Sequence, residues 1–279
     1  MIARRGFLAA SVATLLAPNL ARADSTGRLS FRGSTEQGGL VIGRAASGAK
    51  VTVDDTSLLV SPQGDFAFGF SYDRTKPAHV VAQFADGTSE VRDVSPIVRQ
   101  YETQSITGLP QGLVTPSAAD LARIERENAL IVEARKRDTD GVGFAEPFDW
   151  PCAGIITSVY GSRRIENGTL MAPHLGVDVA APAGTPIHAA ADAVVTIADD
   201  YLLDGGFTLL DHGHGVSTCY LHQSKRMVKV GDKVARGDVI GLMGQTGRAT
   251  GPNTHWGLCW FQVKLDPSRS TLTPEPPKS

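Results

Sequence analysis

Residues 247–258 read GRATGPNTHWGL, a stretch in which a turn rich in glycine and proline runs into a short apolar segment. This pattern predicts a turn followed by a β-strand, whose successive side chains point to opposite faces. One predicted face carries Asn253, His255, Gly257 and Cys259. The other carries Thr254, Trp256 and Leu258. The strand therefore predicts a polar surface with an imidazole beside an amide, backed by an apolar surface.

A second stretch, HLGVD at residues 174–178, predicts another strand. In a strand, His174 and Asp178 would point to the same face, with Gly176 between them. The bare glycine would leave room for an ion above the sheet, and an imidazole with a carboxylate is a suitable pair of zinc ligands. A hydrogen-bonded His–Asp pair without a metal is the alternative interpretation.

A third stretch, residues 218–222 (TCYLH), also predicts a strand. Alternation places Tyr220 and His222 on one face, and Cys219 on the other. If His222 and His255 face the same site, Cys219 points away from it and Cys259 points towards it. We therefore expect these two cysteines to be unpaired. We expect all three cysteines of the chain, including Cys152, to be buried thiols.

Two further histidines stand two residues apart in DHGHG, at His212 and His214. The glycines around them favour the tip of a β-hairpin over a metal-binding arm. His188, in GTPIHAAADAVV, is expected at the edge of a strand without a special role.

Four segments occur in a characteristic order: HLGVD, DHGHGVSTCYLH, VKVGDKVARGDVIG and GRATGPNTHW. In this order and spacing the chain resembles the lysostaphin/LytM-type zinc metallopeptidases over about residues 146–267. The resemblance implies an antiparallel β fold with a groove, and cleavage of peptide bonds in peptidoglycan stem peptides or cross-links. It implies that Zn²⁺ is bound by His174, Asp178 and His255, and that His222 is a catalytic histidine.

One position departs from the family pattern, because Asn253 stands where the family has the first histidine of His-x-His. An amide can donate a hydrogen bond to an oxyanion but cannot transfer a proton at neutral pH. Two functions therefore remain open at this point. The first is an active zinc endopeptidase in which His222 and Asn253 are catalytic. The second is a weak or inactive regulator that binds murein or activates another cell-wall hydrolase.

The rest of the chain predicts a mostly β protein with two domains. Short alternating runs across residues 28–104 predict a small, immunoglobulin-like β-sandwich. Helical spacing across residues 115–138 predicts a linker helix to the LytM-like domain at residues 146–267. The tail, residues 268–279, is expected to be disordered.

Residues 1–23, MIARRGFLAASVATLLAPNLARA, are typical of a secretory signal peptide of the twin-arginine type. Export to the periplasm is therefore expected. Removal of this segment takes away three of the 27 basic residues and none of the 29 acidic ones, which changes the formal charge from −2 to −5. An acidic chain without a basic run argues against nucleic acid as a partner. No later apolar run is long enough to predict a membrane span.

We predict that replacing Arg4 and Arg5 with lysine leaves the unprocessed precursor in the cytoplasm, because the twin-arginine route reads the arginine pair itself. Immunoblots of cytoplasmic and periplasmic fractions measure this. Arg22→Lys, a matched change in the same segment, should be exported normally. Normal processing of the double variant would show that export follows another route.

Overall fold

Two β-rich domains and one connecting helix make up the described part of the chain, which is residues 27–108, 112 and 115–278 of the computed structural model. The predicted signal segment, residues 1–23, lies outside the described residues. The predicted mostly β class is confirmed.

Seven described strands form the N-terminal domain. They are β1 (Leu29–Gly33), β2 (Leu40–Ala45), β3 (Lys50–Val53), β4 (Thr56–Leu58), β5 (Asp65–Gly69), β6 (Ala78–Gln83) and β7 (Ser89–Val94). One antiparallel sheet has the order β1-β2-β5, and the other has the order β4-β3-β6-β7. Alternating apolar residues such as Val41, Phe66, Phe68 and Val80 meet in one core that both sheets share. The domain is therefore the small β-sandwich that the alternating runs predict.

The C-terminal domain is built mainly on one large antiparallel sheet. The strands of this domain in the described residues are β9 (Ile155–Ser158), β10 (Arg163–Glu166), β11 (Thr169–Leu170), β12 (Val177–Ala180), β13 (Pro186–His188), β14 (Ala193–Tyr201), β15 (Gly205–Gly213), β16 (Val216–Arg226), β17 (Lys233–Val234), β18 (Val239–Met243), β19 (Asn253–Trp260) and β20 (Val263–Leu265). All of them except β10 and β11 belong to the large sheet. The central order is β17-β14-β15-β16-β19-β12-β9. Trp256, Leu258 and Tyr220 are fully buried on the core side of the two middle strands, β16 and β19.

The segment between the domains contains a strand and a helix, which both pack on the C-terminal domain. The strand β8 (Thr103–Ile106) pairs in parallel with β10. The helix α1 (Ala118–Ala134) begins after Ser117, whose Oγ accepts a hydrogen bond from the Asp120 backbone N–H at 3.2 Å. Its buried side chain, Ile131, joins an apolar cluster with residues of β14, β15 and β16. Within the described residues, no helix is long and apolar enough to cross a membrane.

The expectation of a disordered tail at residues 268–279 is wrong for the described residues, which extend to 278. A short 3₁₀ helix, Pro267–Ser270, opens the tail. The Trp150 indole N–H donates to the Thr273 carbonyl at 3.0 Å, and the Gly154 N–H donates to the Pro277 carbonyl at 3.0 Å. These partners lie more than 100 residues away in sequence, so local composition does not reveal them.

A buried ion pair joins the two domains. Arg99, just after the β-sandwich, places Nη1 2.7 Å from Oδ2 of Asp266 at the end of the C-terminal domain. The Asp266 side chain is 1 % exposed and that of Arg99 is 16 % exposed. Asp266 also donates its backbone N–H to the Gly38 carbonyl at 2.7 Å. The domains are therefore held together by polar contacts that water barely reaches.

We predict that Arg99→Met lowers the free energy of unfolding by about 3 kcal/mol or more, because it leaves a buried carboxylate oxygen without its cation. Chemical denaturation followed by tryptophan fluorescence measures this. Arg28→Met is the matched control, since it removes an exposed ion pair with Asp86 and should cost much less stability. Equal losses in the two variants would contradict a special role for the Arg99 pair.

Candidate metal centre

Three ligand atoms from distant positions in the sequence meet at one point in the C-terminal domain. His174 Nε2 lies 3.0 Å from Asp178 Oδ1, and His255 Nδ1 lies 2.8 Å from the same oxygen. The two imidazole nitrogens lie 2.8 Å from each other. The structure therefore brings together the three residues that the sequence resemblance assigns to the metal.

The register between β12 and β19 accounts for two of these positions, because Asp178 lies directly opposite His255 in the antiparallel ladder. The expectation that His174 lies on the same strand as Asp178 is wrong. His174 precedes the strand in an irregular segment, where its backbone is bonded to Ser162 and Gly161. The position of the His174 side chain beside Asp178 is therefore set by this loop and not by alternation along a strand.

Gly176 makes room for a side chain and not directly for an ion. A Cβ at this position would lie 2.4 Å from Cε1 and Nε2 of the His255 ring. The ring of His255 therefore occupies the space that a side chain at position 176 would fill.

A chain of hydrogen bonds orients His174. Its Nδ1 lies 2.9 Å from Ser158 Oγ and 3.2 Å from the Val159 carbonyl oxygen. A carbonyl only accepts, so Nδ1 carries a proton, and Nε2 is the nitrogen that can bind a metal. Ser158 Oγ in turn donates to Gln104 Oε1 at 2.8 Å. A residue of β8, outside the C-terminal domain, thus supports the orientation of a candidate ligand.

The second oxygen of Asp178 is held by Arg164, whose Nη2 lies 2.6 Å from Oδ2. Burial by itself raises the pKa of Asp178, but its contacts with His174 and His255 outweigh this and hold the pKa well below its ordinary value. The carboxylate is therefore ionised at neutral pH, with Oδ1 facing the histidines. Sequence reasoning missed Arg164, because no local motif marks a residue of β10 as a neighbour of Asp178.

His222 reaches the site through a break in strand alternation. Its φ is +64°, and the register of β16 against β15 shifts between Tyr220 and Gln223. The ring donates from Nδ1 to the Thr246 carbonyl at 2.8 Å, which leaves Nε2 without a proton. Burial lowers the pKa of His222, so the ring is neutral at neutral pH.

The prediction that Cys219 and Cys259 face opposite sides of the sheet is wrong, because it assumed regular strand alternation from Cys219 to His222. Cys219 lies opposite Gly257 in the ladder, so it shares a face with Gly257 and Cys259. The left-handed backbone at His222 turns that ring to this face too, although alternation from Tyr220 would place it in the core. Cys152, Cys219 and Cys259 are buried and free.

Asn253 and His255 lie on the same side of β19, as alternation along this strand predicts, and both line one groove. Its Nδ2 donates to the Gly251 carbonyl at 3.1 Å. Its Oδ1 is buried without a hydrogen-bond partner among the described residues. One of the two N–H groups of the amide is therefore engaged, and the buried Oδ1 is an acceptor that no described residue satisfies.

The candidate metal centre opens into a groove of about 840 Å³. Strands and loops of the C-terminal domain form most of its wall, and the segment between the domains contributes further residues, including Gln104, Ile106, Ile131 and Arg135. Arg248 also lines this groove, 3.2 Å from the buried carboxylate of Glu166. The groove is therefore closed on one side by residues that precede the C-terminal domain.

The other three histidines of the C-terminal domain do not join the cluster. His212 lies in β15 at a hairpin, and its ring contacts the Asp192 carbonyl at 2.8 Å and Thr218 Oγ1 at 2.7 Å. Burial lowers the pKa of His212 to about 4. His214, at the turn, contacts the Leu59 carbonyl, and His188 ends β13 beside the Gly237 carbonyl. These contacts give all three rings a structural role.

The geometry of the cluster fits a bound cation better than it fits protons. If both histidines donate to Asp178 Oδ1, two N–H groups face each other at 2.8 Å without an acceptor. If His174 Nε2 or His255 Nδ1 lacks its proton, the lone pair of that nitrogen faces the carboxylate oxygen of Asp178, which is unfavourable. A cation satisfies all three atoms, and two imidazoles with one carboxylate are a donor set typical of zinc. Burial lowers the pKa of His255 to about 4, which keeps this ring neutral and able to bind a metal.

The candidate site lies in a segment of the chain that is similar to known proteins. Residues 172–267 match Peptidase family M23. The crystal structure of a peptidase M23 protein from Pseudomonas aeruginosa is 29 % identical, with a TM-score of 0.65. The match covers 85 % of this chain and 94 % of that one, so the likeness extends into the N-terminal domain.

Two curated relatives are similar over shorter segments. Peptidoglycan DD-endopeptidase ShyA of Vibrio cholerae is 44 % identical over 104 residues, 37 % of this chain and 24 % of that protein. DD-carboxypeptidase/endopeptidase Mpg of Neisseria meningitidis is 43 % identical over 83 residues, 30 % of this chain and 19 % of that protein. This chain thus spans about a quarter or less of the length of these relatives. The matched segment, residues 172–267, is therefore a Peptidase family M23 domain within this chain.

Proposed function

We propose that this protein is a zinc-dependent endopeptidase that hydrolyses peptide bonds in peptidoglycan stem peptides or cross-links. The observation that carries the proposal is the convergence of His174, Asp178 and His255 within 3.0 Å, in a groove that His222 also lines. The names of the relatives ShyA and Mpg support peptidoglycan as the substrate class.

The three clustered residues would hold the metal through His174 Nε2, Asp178 Oδ1 and His255 Nδ1. When bound there, zinc would supply Lewis acidity that polarises the scissile carbonyl and makes water more acidic. Arg164 binds only the outer oxygen of Asp178, so it holds the carboxylate without using the oxygen that faces the histidines.

We propose that His222 is the residue that moves a proton. Its Nε2 carries a lone pair because Nδ1 donates to Thr246, and its lowered pKa keeps the ring neutral. A neutral imidazole can accept a proton from the attacking water and return it to the leaving amine. We assign this general acid–base role to His222.

Asn253 would assist this reaction less well than an imidazole. It cannot take up a proton at neutral pH, and one of its N–H groups already donates to Gly251. If the missing histidine is a proton-transfer group, the rate deficit is about 10²–10⁴-fold. The proposal therefore describes an enzyme that is slower than one with histidine at this position.

A second function is favoured by two observations: the amide at position 253, and the groove wall contributed by β8 and α1. Together they suit a protein that binds murein, or activates another cell-wall hydrolase, with little hydrolysis of its own. We further propose that either function is carried out in the periplasm, on the basis of the twin-arginine-like segment at residues 1–23.

We predict that the protein binds about one zinc ion per chain, and that His174→Ala and Asp178→Ala each lose it, because each removes one of three ligands. Elemental analysis after zinc loading and dialysis measures the content. His79→Ala, in the β-sandwich, is the matched control and should keep its zinc. Chelation should also lower the melting temperature of the wild type, since a ligand of the folded state stabilises it. Equal zinc in all four proteins would refute this metal site.

We predict that Asn253→His raises hydrolysis of cross-linked muropeptides by about 10-fold or more at unchanged zinc content, because it adds an imidazole beside His255. Chromatography of digested sacculi measures the products. Asn128→His places an imidazole elsewhere on the groove wall and should leave the rate unchanged.

His222→Ala should reduce hydrolysis in both the wild-type and the Asn253→His backgrounds. Full turnover by His222→Ala would show that another group is the base. No turnover by any zinc-loaded variant would favour the regulator over the enzyme.

A further inference from the structure

Arg135, directly after the last residue of α1, carries a guanidinium that the protein does not neutralise by contact. Its Nη2 lies 3.8 Å from Cys219 Sγ, and its Nε is buried without a hydrogen-bond partner. No carboxylate of a described residue forms an ion pair with it, although the other arginines of this groove, Arg164 and Arg248, each have one. An uncompensated charge in such a place costs stability unless something else pairs with it.

The Arg135 side chain lies close to the candidate metal centre. It contacts Cys219, and a Cβ built on Gly257 would lie 2.6 Å from Cys219 Sγ and 3.7 Å from His255 Nε2. Cys219 therefore contacts the guanidinium and lies beside Gly257, which is itself next to a candidate metal ligand. Arg135, Cys219, Gly257 and His255 all line the same groove.

The charges around Arg135 suit an anion. Asp204, Lys264 and Arg248 also line this part of the groove. Asp204 is a nearby acid that forms no ion pair with Arg135, and its own burial raises its pKa. The positive charges of Lys264 and Arg248 both lower the pKa of Asp204. Arg135, Lys264 and Arg248 therefore line this part of the groove with two acids, Asp204 and Glu166, and Arg248 is already paired with Glu166.

We propose that Arg135 binds a free carboxylate of the peptide substrate and so determines which peptides the groove accepts. The inference rests on the proposed function, which supplies a peptide with free carboxyl groups. A guanidinium presents parallel N–H donors that match a carboxylate in a bidentate pair, and burial strengthens such a pair. Arg135 lies outside residues 172–267, so the helix before the matched region supplies a specificity group to the groove.

The test compares two probes: muropeptide dimers with free carboxyl groups, and the same dimers after amidation of those groups. Calorimetry on the zinc-loaded protein gives the Kd of each, and chromatography gives the rate of cleavage. We expect the wild type to bind the free form about 10-fold or more tightly than the amidated form. Arg135→Gln should lose this preference.

Arg126→Gln is the matched control, because Arg126 lies on the same helix and is exposed. It should keep the preference, and Arg135→Lys should keep part of it by retaining the charge. Melting temperatures identify any variant that is misfolded.

An unchanged preference in Arg135→Gln overturns the inference. Equal weakening of both probes by this variant also overturns it, since that result describes a structural role for Arg135. Cleavage without any preference in the wild type overturns the inference but leaves the proposed function standing. Preferential binding without cleavage refutes the proposed hydrolysis and supports the carboxylate site.

Discussion

The candidate site depends on one register, in which Asp178 of β12 lies opposite His255 of β19. This pairing places a carboxylate oxygen 2.8 Å from an imidazole nitrogen, and His174 then closes the group from a loop. A shift of one residue between these strands would turn His255 into the core and Trp256 into the groove. The burial of Trp256 on the other face therefore secures the position of the histidine.

The metal centre also depends on parts of the chain outside the matched M23 region. Gln104 in β8 accepts a hydrogen bond from Ser158, which contacts His174. The ion pair of Arg99 with Asp266 anchors the segment just before β8. The N-terminal sandwich, which has no chemistry of its own in our interpretation, thus helps to position the segment that borders the groove.

Asn253 and Arg135 change the groove in opposite ways. In our proposal, Asn253 places an amide where an imidazole would transfer a proton, so hydrolysis is slower. At Arg135 a guanidinium without an ion pair offers a strong contact for an anion, so binding gains a charge-assisted contact. In our proposal the groove therefore recognises its peptide well and cleaves it slowly.

The sequence by itself determined the β-rich class, the division into a sandwich and a C-terminal domain, and the shared face of Asn253 and His255. These features follow from alternation along a strand, which is a local property. Alternation failed at His222, where a left-handed backbone turns the ring to the side of Cys219, because a break in the period leaves no mark in residue type. Only the tertiary structure decided the contacts of Arg164 and Arg135 with the groove. Their partners come from distant strands, and the burial that gives those charges their effect exists only once the strands have packed.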